Sequence, residues 1–114
     1  MKDTRQQFEH VISMCRDLFA KKLHDYGAAW RIMRPVSVTD QIFIKANRIR
    51  SIEIKGVTMV DEGIRPEFIG IVNYGIIALI QLDLGYAEKD DLSEQDALDL
   101  YDRYAKKAFD LMMA

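Results

Sequence analysis

The sequence predicts an all-α fold, a bundle of about four helices in a single domain spanning residues 1–114. Three observations carry this. Apolar residues recur at three- and four-residue spacing in successive stretches. Glycine and proline separate those stretches, and the run from Phe68 to Leu84 stays apolar far beyond the length of a strand. Hydrophobic residues make up 49% of the 114 and charged ones 30%, enough apolar content to bury a core and too much for a disordered chain.

The first helix is expected over Thr4 to Leu23, where Phe8, Val11, Ile12, Cys15, Leu18, Phe19 and Leu23 form one stripe. Gly27 ends it, and Pro35 bars any helix from crossing Arg34. Ser37 or Thr39 is an acceptable N-cap for a second helix reaching about Ile54, closed by Gly56. Val57 to Val60 reads as a short extended piece. Pro66 suits the first turn of a third helix that stops at Gly85. Ser93 with Asp96 resembles a capping box and opens a fourth, whose apolar side holds Leu98, Tyr101, Ala105, Ala108, Phe109 and Met112. Asp110, Leu111 and Met112 echo Asp17, Leu18 and Phe19, which reads as chance or as a truncated second repeat starting near Tyr104. The third helix is too apolar to be covered by three partners, so a homo-oligomer is expected.

Net charge is −2, which argues against a surface built for nucleic acid. It is unevenly spread. Residues 1–55 carry eleven Lys/Arg against six Asp/Glu, and residues 56–114 five against twelve. That asymmetry suits either a basic pocket behind an acidic wall or charge pairing between copies. A lone cysteine, Cys15, fits a reducing compartment and a packing role. The opening residues form no signal peptide, and Asn73, Gln81 and Asp83 interrupt the apolar run, so a cytoplasmic protein without a membrane span is expected.

Two helices carry polar residues on the wrong face. Lys45 falls within about 60° of Ile42, Ile49 and Ile52 on a helical wheel, with Arg48 on its flank. A lysine there either snorkels, pairs with an acid such as Glu53 or Glu67, or meets an anionic ligand. On the third helix Glu67, Gly70, Tyr74, Ala78 and Gln81 form one narrow polar and small stripe, and mid-helix glycine costs about 1 kcal/mol against alanine unless something approaches closely. The stretch from Lys22, at the end of the first helix, to Pro35 also holds His24, Asp25, Tyr26, Trp30, Arg31 and Arg34. Aromatic faces suit a base and cations suit phosphate, so these residues, with Lys45, Arg48, Glu67, Asn73 and Tyr74, form the candidate ligand site. Tyr26 and Trp30 are expected to be buried, with Asp25 bonded to backbone or to Arg31 or Arg34. The same residues also describe an internal ion-pair network. No P-loop, GxGxxG, CxxC or HExxH occurs, His24 alone makes no metal site, and His10 is expected to face solvent.

Lys22, Asp25, Tyr26 and Gly27, then Lys45 and Arg48, then Asn73 and Tyr74, together resemble the first nucleotide-modification-associated domain family, across roughly residues 8–85. The resemblance implies a role in nucleotide metabolism or modification, with a nucleotide or other phosphorylated small molecule as partner. A more distant similarity is to MazG-like all-α nucleoside-triphosphate pyrophosphatases, which implies hydrolysis with Mg²⁺ held by paired acidic motifs. Here Lys45-x-x-Arg48 and Glu67-x-x-Gly70 stand where those acids would be. A cationic pair repels Mg²⁺ and attracts phosphate, which leaves binding as the expectation and disfavours the metal. The alternative is a non-catalytic helical oligomerisation module with internal ion pairs.

Overall fold

A computed structural model describes residues 3–56 and 60–114, the side chains of 60–62 excepted. Among the described residues the elements are α1 (Thr4–Tyr26), a 3₁₀ turn η1 (Ala29–Ile32), α2 (Pro35–Lys55), α3 (Val60–Leu84) and α4 (Glu94–Met113). The fold is an all-α bundle. α3 packs on each of the other three helices, whereas α2 packs almost entirely on α3. The outline is correspondingly long, 42 × 32 × 25 Å.

Boundaries follow local chemistry. Asp3 caps α1 by accepting from the Gln6 amide. The helix runs three residues past Leu23 to Gly27, whose positive φ of 67° ends it. α2 begins at Pro35, not at Ser37 or Thr39: proline fixes φ for the first turn and has no N–H to leave unpaired. Thr39 instead donates its hydroxyl to the Pro35 carbonyl at 3.1 Å. α3 begins before Pro66, which lies inside it. A Cβ on Gly63 would stand 3.3 Å from the end of Ile52, so packing against α2 holds the turn that precedes the proline. Of the extended piece expected at Val57–Val60, residues 57–59 lie outside the described residues, and Val60 is helical. Ser93 caps α4 as expected, accepting from the Asp96 amide at 3.1 Å. Ser93→Ala should lower stability by about 1 kcal/mol, read as a shift in the denaturation midpoint at constant slope.

The core gathers Phe19 and Leu23 of α1, Ile76, Ile77 and Ile80 of α3, and Ala97, Tyr101 and Ala105 of α4. Phe19 and Tyr101 stack with centroids 4.5 Å apart. Asn73 is buried among them, donating to the Cys15 carbonyl at 3.0 Å and accepting from the Tyr101 hydroxyl at 2.7 Å, so one amide ties three helices. On the surface Arg16 grips Asp102 with two bonds, of 2.7 and 3.0 Å, and joins α1 to α4. Phe68, Leu79 and Leu82 leave an exposed apolar face on α3. The segment Gly63–Leu84 is long and apolar enough to cross a bilayer by length and composition. Its Asn73 and Gln81 are nonetheless buried and bonded within the bundle.

Candidate functional site

A cavity of about 430 Å³ opens between the end of α1, η1, α2 and the middle of α3. Six residues of the candidate site line it: Lys22, Tyr26, Trp30, Lys45, Asn73 and Tyr74. Lys22 and Tyr26 project from the last turns of α1, and both are exposed. Tyr26 is 74% exposed, against the expectation of burial. It continues the stripe of Cys15, Phe19 and Leu23, but at the final turn that stripe faces the open cavity instead of a neighbouring helix. Trp30 is half-buried, tilted against Phe19 at 6.1 Å. Its indole Nε1–H is buried and has no hydrogen-bond partner.

Lys45 reaches this wall from α2 across Gly70. A Cβ at Gly70 would come within 2.6 Å of the lysine Cδ and Cε, so the close approach expected there is made by the Lys45 stem. The ammonium lies 3.6 Å from a Glu67 carboxylate oxygen and 5.8 Å from the centre of the Tyr74 ring. Arg48 meets the other Glu67 oxygen at 3.6 Å from the far side, largely in solvent. Lys45 and Glu67 are mostly buried, and Glu67 Oε2 has no hydrogen bond, only the longer ionic contact. An ion pair of the kind expected between these helices is therefore present, at a distance longer than a hydrogen bond, while the same lysine lines the cavity.

The remaining residues of the candidate group lie elsewhere. Arg31 is buried and serves the scaffold: Nε donates to Asp91 at 2.8 Å, Nη2 to the same carboxylate at 3.3 Å, and Nη1 to Gln81 and to the Gly85 carbonyl. Those hydrogen bonds hold the Asp91 carboxyl below its ordinary pKa. Gln81 also donates to the carbonyls of Trp30, Arg31 and Met33, at 3.2, 2.9 and 2.7 Å, and so pins η1 to α3. Arg34 stacks over Tyr86 at 4.9 Å. His24 pairs with Glu94 at 3.4 Å on the surface. Asp25 is exposed, and the bonds expected of it are made by Asp90 and Asp91 from the α3–α4 connection. Asp90 accepts from the Ala28 amide at 3.0 Å, and a Cβ on Gly27 would stand 2.6 Å from the same oxygen. Gly27 is thus required twice, by its φ and by Asp90. Gln81 was visible beforehand in the polar stripe of α3. Asp90 and Asp91 sit in a connection with no periodicity to mark them.

A family model described as nucleotide modification associated domain 1 matches residues 22–82. The chain belongs to that family. No curated protein and no solved structure matches it. The matched span of the nucleotide modification associated domain opens at Lys22 on the cavity rim and closes one residue after Gln81. It therefore contains the last turn of α1, η1, α2 and most of α3, which carry both lysines of the cavity lining and its aromatic residues Tyr26, Trp30 and Tyr74, with Phe19 just outside. α4, with Tyr101, lies outside it.

Proposed function

We propose that this cavity binds a nucleotide or a nucleotide phosphate. The observation that carries the reading is one wall holding Trp30 together with the amine of Lys45 beside Tyr74. An aromatic face stacks a base, and a partly desolvated ammonium suits a phosphate oxygen. Lys22 at the mouth adds a second cation. The wall carries lysines and no described carboxylate, so its chemistry suits holding a phosphate chain more than metal-assisted hydrolysis of one.

A second reading rests on the Lys45–Glu67–Arg48 cluster, which suffices as a structural ion-pair network in a helical module without a ligand. Thermal-shift screening of a nucleotide panel, with and without Mg²⁺, separates the two, because a ligand of the native state raises its melting temperature. Lys45→Ala should then weaken nucleotide binding by roughly 10- to 100-fold, the worth of one charged hydrogen bond. Binding by the natural chain should also fall as salt rises. No shift with any nucleotide, together with a large loss of stability in Lys45→Ala, moves the assignment to the structural module.

A further inference from the structure

α2 turns Val38 and Ile49 into the bundle, and on the opposite side it presents a second stripe that none of the described residues of its own chain covers. Val36, Asp40, Phe43, Asn47, Arg50 and Ile54 are all exposed. Val36 and Phe43 are each 65% exposed and Ile54 74%, values unusual for large apolar side chains. At 100° per residue the six fall within about 40° of one line. Their spacing alternates four and three residues throughout, the a/d seam of a coiled coil over two and a half heptads.

Reversed, this order complements itself toward both ends, apolar against apolar and acid against base, and sets Phe43 against Asn47 at the centre. In an antiparallel pair, where each a position faces a d position, Val36 meets Ile54 of a second copy, Asp40 meets Arg50, and Phe43 meets Asn47. The two ends of the seam are then apolar on apolar, and two layers are ion pairs of opposite sign. A parallel pair sets Asp40 on Asp40 and Arg50 on Arg50, which repels. Neither Asp40 nor Arg50 has an ion-pair partner among the described residues of its own chain, so both charges are free for this use. We propose that the chain forms a two-fold homodimer through this seam, α2 against α2 in antiparallel register. A two-fold contact uses the same patch on both copies, which is what a self-complementary stripe supplies. The seam lies on the side of α2 away from Lys45, so the cavity stays open in the dimer.

Charge reversal tests register and orientation together. The natural chain should sediment as a dimer at about 100 µM. Asp40→Arg alone sets arginine on arginine, and Arg50→Asp alone sets aspartate on aspartate, so each should weaken self-association at least tenfold while helical circular dichroism is unchanged. Mixing the two variants restores both opposite-sign layers, and a heterodimer should form with an affinity near that of the natural chain. A natural chain that sediments as a monomer overturns the proposal. So does either single variant that still dimerises like the natural chain, which would place the interface elsewhere, for example on the Phe68, Leu79 and Leu82 face. Failure of the mixture to associate equally removes the antiparallel register.

Discussion

Gln81→Leu is expected to destabilise the protein by about 3–5 kcal/mol, although the replacement nearly conserves volume. Two amide hydrogens of Gln81 are shared among the carbonyls of Trp30, Arg31 and Met33, and its oxygen accepts from Arg31. The side chain is 1% exposed, so water cannot replace those bonds without opening the bundle. Leucine leaves the carbonyls of a short 3₁₀ turn unpaired and removes one acceptor from a buried guanidinium. Each loss costs about 1–3 kcal/mol where nothing compensates. The effect should not be confined to stability. η1 places Trp30 on the cavity wall, so any nucleotide binding should weaken with it. Gln81→Glu is the informative control, because it keeps the acceptor for Arg31 and loses the two N–H donors. It should fall between the natural chain and the leucine variant. Chemical denaturation reads the stability, and a leucine variant as stable as the natural chain removes this account of the turn.

That clamp also shows where sequence reasoning reaches and where it stops. The four helices were legible because an apolar stripe at helical spacing has few other solutions, and Gly27, Pro35, Gly85 and Ser93 mark their ends through backbone chemistry that acts locally. The stripe of Glu67, Gly70, Tyr74 and Gln81 was legible as an anomaly, and each member proves to meet η1 or α2. Partner assignment was not legible. Arg31 could have paired with Asp25, six positions away in sequence, yet its carboxylate partner is Asp91, sixty residues on. Nothing in the residue types distinguishes the two acids; the return of the α3–α4 connection past Gly27 does. Tyr26 failed for a related reason. Its wheel position is a core position, but a core position at a helix end is buried only if a neighbouring helix continues alongside. Helix starts failed at Pro66, where packing of Gly63 on Ile52 outweighs the local preference of proline for a first turn.

Removal of the Asn73 amide should be comparably costly, and it exposes a pH dependence with a defined sign. Asn73→Ala strands the Tyr101 hydroxyl, whose residue is fully buried, together with the Cys15 carbonyl, and opens a void between α1, α3 and α4. A loss of about 3–4 kcal/mol follows from one or two unpaired groups plus the cavity. Tyr101→Phe keeps the packing and strands only the Asn73 oxygen, so about 1–2 kcal/mol is expected. Burial pushes the Tyr101 phenol well above its ordinary value of 10.0. A group whose folded pKa lies above its unfolded one contributes stability in full below the unfolded value and loses it as pH rises beyond. The natural chain should therefore lose stability above about pH 10, at up to roughly 1.4 kcal/mol per pH unit for this one proton. Tyr104, raised by its hydrogen bond to Asp83, adds to the same trend from the contact of α4 with α3. Tyr101→Phe removes the larger share, so its stability should fall less steeply between pH 10 and 11 although it starts lower at pH 7. Urea denaturation of both chains at pH 7, 10 and 11 measures this, and parallel pH profiles would show that the buried phenol is not what titrates.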